Sequence, residues 1–542
     1  MSSYEVIEKH TSHQSIARID SHSVPRQDFE FKRVEYRDVL KHVKSLKINK
    51  ASGFDGISPK FVKIAGKSLI VMLVNLFNEC IVNCVFPSTL KKADISPLYK
   101  KNDSLNKCNY RSVNLLPIIS KIFEKIMSEQ ITVHFTHLLN SSLSAYRQGY
   151  SCQRVLLDMT ETWRKSLDDG KTIGTVAMDL SRAFDCMPHG LLIAKLHAYG
   201  FTHAACDFVM SYLVDRRQRV KTMGAVSSWE TINRGVPQGS VLGPILFNIF
   251  MNDLFFLDNE SKLFNYADDN TLSKSENDES KLIYTLQKDT LACIDWFSRN
   301  NLSANQEKFQ SMILCKKDLK SNHLNLDGIE IECVNYMKVL GINVDRNLDF
   351  REHVSQICAK AGRQLNVLRR LSRNLNFDSR LSIYKSFISS TFNYCPVVWI
   401  FCGKGNSNKL EKNNERAIRI VFDDRDSSYE ELLKKAKLLP LSMLRLKYMI
   451  IEVYKCIRRQ NPEYLNDSFK IMNSKYEFRD TSKAIQPNFN SMTFGYRSFA
   501  YYGAKLWNHL PTTLKLIEDI QIFKLEIHKW LLESDPKELV IC

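Results

Sequence analysis

The sequence predicts an α+β fold on three observations. Short β-prone runs end on carboxylates: Thr175-Val176-Ala177-Met178 stops at Asp179, and Leu263, Phe264 and Tyr266 lead to Asp268-Asp269. Between them, the apolar run Ile245 to Met251 reads as a helix. Longer helical patterns lie to either side, at Phe61 to Val85, His353 to Leu371 and Ser379 to Ser390.

Tyr266-Ala267-Asp268-Asp269 reads as strand, tight turn, strand, because Asp and Asn tolerate the backbone angles of a turn. Adjacent carboxylates at a hairpin tip repel by roughly 4 kcal/mol at about 4 Å and an effective dielectric near 20. A divalent cation removes that cost and gives the pair a purpose. Asp179 sits at a strand end, where active-site residues collect. Between the two acidic sites lies Arg234-Gly235-Val236-Pro237-Gln238-Gly239-Ser240-Val241-Leu242-Gly243-Pro244. Its glycines let a backbone approach a ligand closely. It lacks the Gly-Lys-Ser/Thr of a Walker loop and the spacing of a dinucleotide fingerprint.

The order strand-Asp, Gly-Pro-Gln-Gly loop, helix, Asp-Asp hairpin resembles the reverse transcriptase palm, most closely that of non-LTR (long interspersed element-type) retrotransposons. Ala177 to Asp185, Gly235 to Ser240 and Tyr266 to Asp269 carry the match. Four further segments extend it. Lys50 to Ile57 resembles the short motif ahead of the fingers, and Asn109-Tyr110-Arg111-Ser112-Val113 with Leu115-Leu116-Pro117 a fingers motif. Asn301 to Asn305 through Lys308 resembles the next palm motif, and Tyr336 to Ile342 the primer grip. The resemblance implies a right-hand polymerase with fingers, an antiparallel palm sheet and a helical thumb. Residues 1–28 are expected to be a flexible N-terminal segment and 29–175 an entry segment with the fingers. Palm and thumb are expected over 176–345 and 346–425, with a helical extension of unknown role over 426–542. The reverse transcriptase domain as a whole is expected over about 78–345.

By the same resemblance the chain is an RNA-directed DNA polymerase (EC 2.7.7.49) that uses two Mg²⁺ or Mn²⁺ ions. Asp179, Asp268 and Asp269 are the implied metal-binding triad, joined by the backbone carbonyl of Leu180. Lys308 is the implied proton donor to pyrophosphate. Arg111 is the candidate clamp for the triphosphate, since a guanidinium grips phosphate oxygens bidentately. The resemblance implies that Phe184 excludes a 2′-hydroxyl and that Gln238, Gly239 and Tyr266 line the substrate pocket. Asp185 lies outside the triad and reads as structural. Gln310 and its neighbours depart from the family's usual spelling, as does Gly190, where related sequences often carry Asp.

Lys and Arg number 76 against 59 Asp and Glu, a net charge of +17 over 542 residues, which suits a polyanionic partner. The implied partners are an RNA template, a DNA primer or target and deoxynucleoside triphosphates. Arg216, Arg217, Arg219 and Lys221 form one basic cluster, and Lys360, Arg363, Arg369, Arg370 and Arg373 another. The N-terminus carries no apolar signal core, so reduced thiols and an intracellular location, in nucleus or cytoplasm, are expected. Ser68 to Asn78 is too short to span a bilayer. Neither Cys80 with Cys84 nor Cys395 with Cys402 has an answering ligand pair, and His134 and His137 read as structural. The segment before Leu46 is too short for the endonuclease that the family encodes ahead of the polymerase, so a truncated, split or incomplete copy is expected. A catalytically inactive or domesticated RNA-binding relative is the alternative, against which the intact acids argue. An RNA polymerase of similar architecture is disfavoured by Phe184 and Ala267.

Overall fold

A computed structural model of the protein describes residues 2–22, 28–315, 323–326, 328–472 and 483–534. The chain forms two compact units that interleave along the sequence, one of Met1–Tyr146, Asp179–Asn259 and Leu291–Glu307, the other of Arg147–Met178, Glu260–Thr290 and Lys308–Cys542.

The first unit begins with a difference from expectation. In place of a flexible N-terminal segment, Ser3–Glu8 and Gln14–Ser21 are helices, and residues 23–27 lie outside the described residues. Val6, Ile7 and Ile19 are buried, and both helices pack on the helix His189–Ala198. This packing accounts for Gly190: a Cβ there sits 3.0 Å from His10 Cε1 and 3.2 Å from a Val6 methyl, so a longer side chain has no room. The helix expected over Phe61 to Val85 is two helices, Pro59–Ile64 and Gly66–Val82. The chain turns at Gly66, whose φ of 68° favours glycine.

The sheet of this unit places Tyr110–Leu115 beside Lys92–Tyr99, then Arg216–Thr222, which also pairs with Ala225–Val226 and Glu230–Ile232. Only the pairing of Lys92–Tyr99 with Arg216–Thr222 is parallel among these strands. Beneath lies an aromatic core in which Phe77 stacks on Phe123 at 4.1 Å and Phe86 and Phe208 close around it. His134 is structural, packing against Phe29 and Phe201 with Nε2 on the Tyr199 carbonyl at 3.1 Å.

The second unit is built on a four-stranded antiparallel sheet in the order Gln310–Leu314, Thr172–Met178, Asp269–Glu276, Lys262–Tyr266. The helix Cys152–Asp168 packs on it through Val155, Leu156, Met159 and Trp163, and the Trp163 indole N–H donates to Ser273 Oγ at 2.8 Å. Tyr336–Val339 and Ile342–Asp345 form a hairpin, turned by Leu340 and Gly341 at φ 46° and 83°, the signature of a type I′ turn. The expected helices appear as Arg351–Ser372, Phe377–Ile383 with a π-turn over Tyr384–Ile388, and Ser389–Phe392. A second apolar core joins Leu441–Ile457, Phe499–His509 and Ile520–Glu533, with Tyr454 stacked on Phe523 at 4.0 Å. Among the described residues no helix is long and apolar enough to cross a membrane.

Candidate functional site

In the second unit Tyr266 pairs with Asp269 across the two-residue turn Ala267-Asp268. Ala267 adopts φ 57°, the positive angle that two-residue hairpins demand. Asn265 Nδ2 donates to the Ala267 carbonyl at 2.8 Å and to Asn270 Oδ1 at 2.9 Å. Asn270 Nδ2 donates to the Asp268 carbonyl at 3.1 Å. The turn is thus tied by neutral amides, from two residues that sequence reasoning passed over although they bracket the motif. Asp268 is half-buried and Asp269 exposed. In the sheet register Met178 stands opposite Asn270. Asp179 is the residue after Met178, and Asp269 the residue before Asn270.

In the first unit Asp179 is half-buried and its carbonyl accepts the Asn305 N–H at 2.9 Å. Leu180–Ser181 then pairs antiparallel with Ser303–Ala304, with Leu180 opposite Ala304. Two segments about 120 residues apart, both assigned to the palm by resemblance, are therefore strand partners. Lys308, the first residue of the last segment of the second unit, is exposed.

The glycine loop is built against the turn Ala183–Cys186. Gly235 N–H donates to the Met187 carbonyl at 2.8 Å, and Val236 N–H to the Phe184 carbonyl at 2.9 Å. Gly235 has φ 75°, and a Cβ there falls 2.5 Å from the Phe184 carbonyl oxygen and 2.6 Å from Asp185 Cα. Gly235→Ala is expected to cost about 3 kcal/mol, from left-handed strain and backbone overlap, measured by urea denaturation. His189 Nε2 lies 2.7 Å from the Gly235 carbonyl. A carbonyl only accepts, so Nε2 carries the proton. Burial pulls this imidazole below its usual range, the Gly235 carbonyl opposing that shift and Arg216 adding to it.

The far end of the loop is held by the strand Tyr110–Leu115. The Asn114 backbone N–H and Nδ2 both donate to the Gln238 carbonyl, at 2.9 and 3.2 Å. Gly239, at φ 103°, leaves only 3.1 Å between a Cβ and the Asn114 carbonyl oxygen. Arg111 lies on the same strand, exposed. Buried Glu124 closes the structure: its Oε2 accepts the N–H groups of Val241 and Leu242 at 2.7 and 3.3 Å, capping the helix Leu242–Met251. Phe184 stacks on Phe247 at 4.2 Å and meets Tyr146 edge-on at 6.0 Å, leaving it half-buried.

The first unit thus gathers Phe184, Gln238, Gly239 and the strand of Arg111 around one loop, and the second carries Tyr266, Asp268 and Asp269 at one hairpin. His189, Asn114 and Glu124 escaped sequence reasoning, because each acts on a loop remote in the chain. Among the described residues no group of three or more His, Cys, Asp and Glu forms a metal cluster. The carboxylate donors are nonetheless of the type a hard cation takes. Mg²⁺ commonly binds through one or two carboxylates plus substrate phosphates and water, not in an all-protein cage.

Residues 99–344 match the family model described as reverse transcriptase (RNA-dependent DNA polymerase). The chain is 26% identical over 429 residues to the probable RNA-directed DNA polymerase from transposon BS of Drosophila melanogaster, covering 76% of this chain and 47% of that protein. It is 24% identical over 401 residues to the RNA-directed DNA polymerase from mobile element jockey of Drosophila funebris, covering 72% and 44%. It is 25% identical over 379 residues to the Pol polyprotein of the type-1 retrotransposable element R1 of Bradysia coprophila, covering 68% and 37%. The chain spans less than half the length of these curated relatives. Over residues 99–344 the chain is therefore similar to reverse transcriptase domains, and over much of its length to the RNA-directed DNA polymerases of non-LTR retrotransposons.

Proposed function

We propose that the chain is an active RNA-directed DNA polymerase. It adds deoxynucleotides to a DNA 3′ end on an RNA template. One observation carries the reading: the antiparallel pairing of Met178 with Asn270 sends the chain toward Asp179 from one strand and receives it from Asp268-Asp269 on the other. By the family resemblance, Asp179, Asp268, Asp269 and the Leu180 carbonyl would hold Mg²⁺ or Mn²⁺. When bound, such ions would supply activation of the 3′-hydroxyl and charge neutralisation at the triphosphate. Arg111 grips phosphate oxygens, Tyr266, Gln238 and Gly239 line the nucleotide, and Lys308 delivers a proton to the leaving pyrophosphate. The four-stranded sheet and its flanking elements over 176–345 serve as palm, 29–175 supply fingers and 346–425 the thumb.

Incubation of the purified chain with a DNA primer on RNA, deoxynucleotides and Mg²⁺ or Mn²⁺ tests the reading. Templated extension is expected, and absence of incorporation with both ions overturns it. Phe184, supported from beneath by Phe247, acts as the barrier to a 2′-hydroxyl. Phe184→Ala is expected to raise ribonucleotide incorporation relative to deoxynucleotide by at least about tenfold, since each 1.4 kcal/mol of lost discrimination is tenfold. Competition between the two nucleotide types in single-step extension measures this, and an unchanged ratio removes the steric role.

A further inference from the structure

Asp185 stands outside the proposed metal triad, and sequence reasoning gave it no chemistry. The structure gives it one precise contact. Gln238 Nε2 lies 2.9 Å from Asp185 Oδ1 and 2.9 Å from Oδ2. A carboxylate only accepts, so it is the amide nitrogen that faces Asp185 and the Gln238 oxygen is turned the other way. The backbone on which this side chain hangs is also held. Two donors of Asn114 take the Gln238 carbonyl, and Gly239 is pressed against the Asn114 carbonyl oxygen. At the other end of the loop, Gly235 admits no side chain against the backbone of Phe184 and Asp185. The loop and the turn carrying Asp185 are thus locked together, and within that frame the Gln238 amide has one orientation.

We infer that Asp185 is a positioning residue that turns Gln238 into a pure acceptor toward the nucleotide, selecting a substrate group that donates a hydrogen bond, a sugar hydroxyl or a base N–H. This rests on the reading of Gln238 as a nucleotide-pocket residue. An unconstrained amide offers a donor and an acceptor equally, and so discriminates poorly between ligand groups. A charge-assisted bond to Asp185 removes one of the two orientations before the nucleotide arrives. The phenyl ring of Phe184, the preceding residue, stands on the same short turn, so one structural element carries both the proposed sugar barrier and the clamp on its neighbouring amide.

Asp185→Asn keeps the shape of the side chain but offers Gln238 either a donor or an acceptor, so the amide is free to flip. The test is steady-state single-nucleotide incorporation by Asp185→Asn, Gln238→Ala and the double variant, with thermal unfolding of each. Asp185→Asn is expected to raise KM for deoxynucleotides about tenfold, as loss of one oriented hydrogen bond of about 1.4 kcal/mol implies, with a smaller change in kcat. The double variant is expected to match Gln238→Ala, because Asp185 acts only through that amide. Multiplying effects in the double variant, an unchanged KM in Asp185→Asn, or a loss confined to kcat and accompanied by a lowered melting temperature each overturns the inference. An active wild type with any of those results overturns this inference alone, whereas a wild type that incorporates nothing overturns the polymerase reading together with it.

Discussion

Asp268→Asn is expected to extend no primer while folding and binding nucleic acid as the wild type does. The substitution keeps side-chain volume and shape and removes one negative charge. Asn tolerates turn angles as well as Asp does, and the hairpin is tied by Asn265 and Asn270. Stability should therefore change by less than about 0.5 kcal/mol, as for an ordinary substitution away from a core. The chemical step should suffer far more. A neutral amide is a poor ligand for a hard cation, and charge stabilisation at the reacting phosphate is lost with it. A fall of at least about 10³-fold in extension rate, roughly 4 kcal/mol of barrier, follows. Affinity for the primer–template duplex should hold or rise slightly, because a negative charge near a polyanion has been removed. Rapid-quench extension paired with fluorescence anisotropy on a labelled duplex separates the two effects. Extension within tenfold of wild type, or a lost duplex affinity, overturns the metal assignment.

The second large effect concerns the interior of the first unit. Lys195 and Asp253 are both fully buried and meet at 2.6 Å. The ammonium also donates to the Phe250 carbonyl at 2.8 Å and lies 4.1 and 4.7 Å from the ring centres of Phe250 and Trp296. The Trp296 indole N–H donates to the other Asp253 oxygen at 2.8 Å. Every polar partner here is matched, and removing one strands a charge where water cannot reach it. Asp253→Ala is expected to cost about 3–5 kcal/mol of unfolding free energy, the usual range for a broken buried pair. Replacing both ions, Lys195→Met with Asp253→Leu, should recover much of that loss, although the Trp296 N–H and Phe250 carbonyl remain without partners. Denaturant titration of wild type, single and double variants reads both numbers, and a single variant costing under 1 kcal/mol refutes the description. Burial pulls the Lys195 ammonium down to about 8, with Asp253 opposing. The folded chain gives up this proton before the unfolded chain does. Its contribution to stability therefore increases as pH rises from about 8 toward 10.5, a slope that Lys195→Met should remove.

Much of the local structure could be read from the sequence. The strand ending at Asp179, the turn at Ala267-Asp268 and the helix after the glycine loop each depend on near neighbours. Apolar periodicity, turn-tolerant residues and the absence of a side chain at Gly235 act over a few positions, so a linear reading captures them. The observed strand Thr172–Met178 and helix Leu242–Met251 extend the anticipated segments by three residues at their starts. That is the usual uncertainty of element ends.

What the linear reading missed follows another rule. Gln238 finds Asp185 at a separation of 53 residues, and Val241 finds Glu124 at 117. Ser303–Ala304 finds Leu180–Ser181, and the N-terminal helices find the helix that carries Gly190. Composition and local pattern sufficed for the short elements that present the proposed site residues, because those are decided within one turn or one strand. The choice of which amide faces which carboxylate, which acid caps which helix and where lysine can be buried was settled by packing alone, since a polar group taken out of water accepts whichever distant partner the fold brings within 3 Å.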